Sequence, residues 1–292
     1  MVTLDFDALR ETRATNPARL AQVYADRVRR PIVEGDGRLM IVAADHPARG
    51  AIAVNGNATA MADRYELLTN LAEALSRPGV DGVLGTPDII DDLALLGLLD
   101  NKIVVGSMNR GGLRGASFEM DDRYTAYDMP AIDRDGLDFA KNLIRINLSD
   151  AGTLETLEAS ALAVSDAAEL GIPIMLEPFM SEWVNGEIKN NLTADQVILS
   201  IAIASGLGNS SAYSWLKLPV VDDMERVMAA TTLPTLLLGG DPGENVDALF
   251  EQWGNALRLP GVRGLVVGRS MLYPHDGDVA RAVDVAATLV HG

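Results

Sequence analysis

The chain contains no cysteine, which excludes disulfides, thiolate-ligated zinc and a thiol nucleophile. Histidine is scarce as well, with His46, His275 and His291 the only three. A catalytic zinc would want several imidazoles around one ion, and only His46 stands where a site is expected, so neither metal nor cofactor is anticipated. No apolar run approaches the ~18–20 residues that cross a bilayer. The first residues, Met1-Val-Thr-Leu-Asp-Phe-Asp, lack a charged start followed by an apolar core, so a cytoplasmic location is expected. Positive charge is short: 24 Lys and Arg face 41 Asp and Glu, a formal net charge of -17. That balance argues against a nucleic-acid or anionic-membrane footprint, although it leaves room for a local cationic pocket. P-loop and EF-hand patterns are missing, and no linker or low-complexity tract divides the chain.

What is present is a length of 292 residues and 48% hydrophobic content, enough for one large core. Apolar residues at helical spacing (Leu4, Leu9, then Leu20, Val23, Tyr24, Val28), with Pro17 as a start signal, predict two short leading helices. The apolar run 39–44 follows Gly35-Asp36-Gly37 and ends in Asp45-His46-Pro47, as a buried strand with polar residues at its C-terminal end. Further strands are expected at 80–84, 102–105, 142–146, 173–176, around Lys217 in 211–220, at 235–238 and at 265–267. Helices are expected at 62–76, 88–99, 134–140, 153–170, 194–205, 222–230, 245–257 and 278–290. Such alternation predicts an α/β fold, a (β/α)8 TIM barrel over 38–292 carrying catalysis, with residues 1–37 as a helical extension.

Barrel sites lie at the C-terminal ends of the strands, which collects Asp45, His46, Arg110, Arg145, Asn147, Glu177, Lys217, Gly239, Gly240, Gly268 and Arg269. Lysine is rare, at four residues, Lys102, Lys141, Lys189 and Lys217. Lys102 and Lys141 are expected at the starts of their strands, the wrong end for chemistry, and Lys189 in a polar stretch. Lys217, in Ser-Ala-Tyr-Ser-Trp-Leu-Lys-Leu-Pro-Val, would present an amine from mid-strand. Surroundings of low dielectric and neighbouring guanidinium charge favour the neutral amine that attack on a carbonyl needs. The alternative is a lysine that pairs with Glu177 and only ties two strands together. Gly239-Gly240 and Gly268-Arg269 follow the last two strands, where barrels commonly bind phosphate, with Arg269 as a bidentate cation; otherwise the glycines only make tight turns. His46 is read as a hydrogen-bond donor to substrate, or as a residue that positions Asp45. Trp215 shares the strand face of Lys217 and is a candidate for the pocket wall. Residues 111–131 form either a lid or a solvated loop.

The order Asp45-His46, Glu177-Pro178, Leu216-Lys217-Leu218-Pro219, Gly239-Gly240 and Gly268-Arg269-Ser270 resembles the class I, Schiff-base aldolases. Similar groups are the deoxyribose-phosphate, archaeal-type fructose-bisphosphate and tagatose-bisphosphate aldolases, and aldolase-like proteins encoded beside myo-inositol catabolism genes. The resemblance implies that Lys217 forms the Schiff base, that Gly240, Gly268 and Arg269 bind a substrate phosphate and that Asp45 assists proton transfer. It departs from the deoxyribose-phosphate group, which has a second lysine on strand five where Glu177 stands; Arg145 on strand four is then expected beside Lys217.

The expected activity is carbon–carbon bond cleavage in a phosphorylated keto-sugar or sugar acid, of a 2-deoxy-5-keto-gluconate 6-phosphate type, with Glu177 or Asp45 as the base. Arg110, Arg145 and Arg269 would bind anionic groups of the substrate. The alternative is a phosphosugar isomerase or a non-catalytic phosphosugar-binding barrel. The expected partner is a small phosphosugar, with no nucleic acid or membrane, in a homo-oligomer.

Overall fold

The computed structural model describes residues 4–239 and 246–292. Helices α1 (Phe6–Thr15) and α2 (Arg19–Asp26) precede the first strand. The strands are β1 (Leu39–Ala43), β2 (Gly82–Gly85), β3 (Ile103–Ser107), β4 (Phe139–Ile146), β5 (Ile174–Val184), β6 (Glu187–Asn190), β7 (Ser214–Pro219), β8 (Thr235–Leu238) and β9 (Val262–Val267). All but β6 run parallel around a ring that the β4–β5 pairing closes, giving a (β/α)8 barrel. Around it stand α3 (Arg64–Ser76), α4 (Pro87–Leu95), α5 (Met129–Arg134), α6 (Gly152–Leu170), α7 (Ala194–Ser205), α8 (Met224–Met228), α9 (Val246–Ala256), α10 (Arg269–Leu272) and α11 (Val279–His291). No helix among the described residues is long and apolar enough to cross a membrane.

Strand periodicity divides the core in two. Outward residues such as Met40, Val42, Ala140, Ile144, Leu176, Leu216, Leu218 and Val267 pack under the helices. Inward residues Leu39, Ile41, Ala43, Leu84, Ile103, Val105, Phe139, Met175, Leu236 and Val266 fill the barrel interior. Burying a side chain of this size favours folding by roughly 1.5–3 kcal/mol, and this layer forms the floor of the site. Trp215 belongs to the floor: it packs edge-on against Phe139, with ring centroids 5.4 Å apart.

Two expectations are corrected. Residues 134–140 are not a helix: α5 ends at Arg134, and Gly136 takes a left-handed φ of 62° that breaks the turn. Asp138 then accepts from the Val104 backbone and pairs with Arg27 and Arg29, so β4 begins at Phe139. The fifth strand does not stop at Leu176 either. It outlasts its pairing with β7 and turns through Asn185-Gly186, both at positive φ, into β6. Asn-Gly is the preferred pair for such a two-residue hairpin turn.

Candidate active site

Two residues beyond the floor on five strands, the inward positions change character. After Ala43, Phe139, Met175, Trp215 and Val266 come Asp45, Lys141, Glu177, Lys217 and Gly268. All five line one cavity of ≈ 600 Å³ at the C-terminal end of the barrel, together with His46, Arg49, Arg110, Leu143, Phe179, Gly239 and Arg269. Gly240 lies outside the described residues.

The charged groups form a chain of alternating sign. Lys217 Nζ donates to Glu177 Oε1 at 2.6 Å, and Lys141 Nζ meets Glu177 Oε2 at 2.5 Å. The same Lys141 ammonium reaches Asp45 Oδ2 at 3.2 Å. Ser107 Oγ donates to that oxygen at 3.0 Å, and Arg110 closes on Asp45 twice, at its carbonyl and its carboxylate, both 2.9 Å. Burial works to raise the Glu177 carboxyl, but Lys141 and Lys217 outweigh it and hold the group down at about 2. Asp45 is likewise pushed up by burial and brought well below the usual carboxylate range by Arg110, Lys141, His46 and Lys217. Lys141 is pulled down chiefly by burial, against Asp45 and Glu177. Burial, with Arg269 and the two lysines, lowers His46 to about 3 despite Asp45, so its ring is neutral near pH 7.

Lys141 lies where the sequence did not place it. With β4 begun at Asn142 it falls before the strand; in the structure it is the third residue of β4 and 2% exposed. Its signal was parity: Arg145, already counted as inward, lies four residues on and shares its face.

Arg145 does not line the cavity, which corrects its expected place in substrate binding and beside Lys217. Its guanidinium is committed to Glu119 (Nη1 to Oε1, 2.5 Å) and to the carbonyls of Gly112 and Glu119. Arg49 joins it, meeting Asp122 Oδ2 at 2.5 Å and the Gly112 carbonyl at 2.8 Å. A side chain on Gly112 would strike the Glu119 carbonyl at 2.4 Å and Arg145 Nη2 at 2.6 Å, so only glycine fits there. The segment between β3 and α5 is thus tied to the barrel rim by buried ion pairs at Glu119 and Asp122, while Leu113 and Phe118 between its ends stay exposed. Arg145→Leu, which leaves Glu119 buried and unpaired, is expected to destabilise the fold by about 3 kcal/mol, read as a lowered urea midpoint.

Across the same cavity, Gly268 follows β9 as the N-cap of α10, which begins at Arg269. A Cβ on Gly268 would stand 2.3 Å from the Ala43 carbonyl and 3.0 Å from His46 Cε1. Gly268→Ala is therefore expected to cost ~1–3 kcal/mol through backbone displacement, measurable as a drop in Tm. Gly239 owes its identity to packing as well, since a Cβ there would meet Val267 Cγ1 at 2.7 Å. Among the described residues no three His, Asp or Glu side chains converge as a metal-ligand set. Of the other lysines, Lys102 binds the Val80 carbonyl at the base of the barrel and Lys189 pairs with Glu187 on the exposed hairpin.

The family model described as Cgl0159-like matches residues 37–287. The chain belongs to the Cgl0159-like family. The crystal structure of Cgl0159 from Corynebacterium glutamicum is 67% identical, with a TM-score of 0.96 over 98% of this chain and 96% of that one. Class I fructose-bisphosphate aldolases are structural neighbours at low identity. One, described as Schiff base forming, is 18% identical, TM-score 0.63, over 93% of this chain and 99% of that one. Another, archaeal and with its catalytic lysine bound to a carbinolamine intermediate, is 18% identical, TM-score 0.63, over 94% of this chain and all (100%) of that one. At that distance the likeness shows the barrel fold alone. No curated protein matches the chain.

Proposed function

We propose that this protein is a class I aldolase that cleaves a carbon–carbon bond of a phosphorylated keto-sugar or sugar acid through an imine on Lys217. One observation carries the reading: Lys217 Nζ lies 2.6 Å from a carboxylate whose other oxygen is held by a second buried ammonium, Lys141, inside an open cavity. A pair kept only for stability has no need of a third charge or of solvent access, and apolar packing would serve as well. The nucleophile, a proton carrier in contact with it, and a cation that orients the carrier are the parts an imine enzyme requires.

Glu177 takes a proton from the Lys217 ammonium, and the free amine adds to the substrate carbonyl. The carbinolamine hydroxyl then receives that proton and leaves as water, which gives the protonated imine and restores the Glu177 carboxylate. Asp45 lies just past the end of β1, bound to Lys141, Ser107 and Arg110 and without a hydrogen bond or ion pair to Lys217. It is therefore assigned the later step, removal of the proton from the hydroxyl beta to the imine carbon. The carbon–carbon bond breaks, its electrons pass into the imine, and an aldehyde departs. Gly239, Gly268 and Arg269 line the β8–β9 side and suit a substrate phosphate. Arg110, on the facing side of the barrel, suits a second polar or anionic group, which fits a sugar acid of the 2-deoxy-5-keto-gluconate 6-phosphate type. That substrate would place the reaction in the breakdown of inositol.

A second reading, a phosphosugar isomerase or binding barrel, draws on the same 2.6 Å ion pair, because a paired lysine can also serve as a fixed charge. Borohydride reduction separates the two. The protein is incubated with dihydroxyacetone phosphate and a panel of keto and aldehyde sugar phosphates, reduced, and weighed intact. A stable adduct mapped to Lys217 is expected; binding of a phosphosugar with no adduct from any of them would favour the second reading.

A further inference from the structure

Cleavage through an imine leaves an enamine, whose nucleophilic carbon must take up a proton before the fragment can be hydrolysed from Lys217. Of the groups that line the cavity among the described residues, Asp45, His46, Lys141, Glu177 and Lys217 are those able to exchange one. Glu177 is held by both ammoniums, and Lys141 bridges Glu177 and Asp45. His46 is differently placed. Its Nδ1 is buried with no hydrogen-bond partner and lies 3.8 Å from Asp45 Oδ1, while the side chain, 27% exposed, lines the cavity. Its backbone carbonyl accepts from the amides of Arg49 and Ala51, which fixes the residue at the strand end. Its Cε1 edge abuts Gly268, on the Arg269 side where the phosphate-bearing fragment would remain.

We infer that His46 carries the proton to the enamine carbon, accepting at Nδ1 the proton that Asp45 has taken from the substrate hydroxyl and releasing one from Nε2. The relay exchanges one tautomer of the ring for the other, consumes no redox equivalent and returns Asp45 to its carboxylate. A ring held neutral at rest suits this role, since it can accept at one nitrogen and give from the other. The inference rests on the imine reading of Lys217.

The test is solvent deuterium exchange into the hydroxymethyl carbon of dihydroxyacetone phosphate, followed by proton NMR, beside borohydride trapping of the same ketone. Wild type is expected to give both. His46→Gln and His46→Asn, which keep one hydrogen-bonding nitrogen but cannot relay, are expected to form the Lys217 adduct, which also shows them folded, while exchange falls by at least about 100-fold. The enamine intermediate should also lose reactivity toward hexacyanoferrate in these variants when the ketone alone is supplied. Exchange at the wild-type rate in either variant, or loss of adduct together with exchange, would overturn the relay. Absence of an adduct in the wild type would overturn the imine reading itself.

Discussion

Lys217→Ala is expected to give no borohydride adduct with any carbonyl substrate and to lower kcat/KM for cleavage by at least about 10⁴-fold, the scale on which loss of a covalent nucleophile registers. Alanine alone leaves an ambiguity, because it also strips Glu177 of the ammonium at 2.6 Å. Lys217→Arg resolves it. A guanidinium keeps the charge opposite Glu177, but it stays protonated in proteins and cannot act as an amine nucleophile. If Lys217 is the nucleophile, the arginine variant is as inactive as alanine while its thermal stability stays nearer to wild type. If Lys217 is only a fixed charge, the arginine variant retains most of the activity and most of the phosphosugar affinity. Cleavage assays and thermal melts on both variants decide between a covalent and an electrostatic role.

The barrel was legible because a parallel strand buried on both faces reads as a short apolar run, and those runs recur between helical segments. Asp45, Glu177, Lys217, Gly268 and Arg269 could be named for the same reason: each interrupts or follows such a run. Lys141 was not, since its visibility depended on where β4 begins. The turn at Gly136 and the tether of Asp138 to the Val104 amide set that start, and both are tertiary facts. Arg145 was misjudged from correct parity. It does point inward on β4, but one rung higher than Leu143, where Glu119 and the Gly112 carbonyl capture it before it can reach the cavity. A long side chain at a strand end can be claimed by the loop above, and the sequence carries no measure of that competition. The hairpin after β5 was announced by Asn185-Gly186 and masked by Pro178, whose presence within a run argues against a strand.

Lys141→Met tests the part of the site that only the structure reveals. The substitution preserves length and removes the ammonium that contacts both Glu177 and Asp45. Burial continues to oppose the charge on Glu177 while the stronger of the two lysine charges that offset it is gone, so its carboxyl rises from about 2. For a carboxylate whose folded pKa is depressed below the ordinary value of 4.5, the associated stability is fully present above 4.5 and is lost as the pH falls through the folded value. In the wild type this loss is therefore confined to the range between 4.5 and about 2. In the variant the contribution shrinks and its remainder is lost at higher pH, so acid unfolding begins earlier; denaturation from pH 7 downward reads this directly. Catalysis should suffer more. A carboxyl with a higher pKa takes the Lys217 proton more readily but returns it to the departing hydroxyl less readily, and without the 2.5 Å contact Oε2 is no longer held. A fall in kcat of roughly 10³-fold is expected, within the range for a disrupted acid–base step. The acid limb of the pH–rate profile should move upward with it, in the same direction as the Glu177 carboxyl. A variant that lost stability but kept both kcat and the position of its acid limb would mark Lys141 as a structural cation and return the proton transfers to Glu177 and Asp45 unaided.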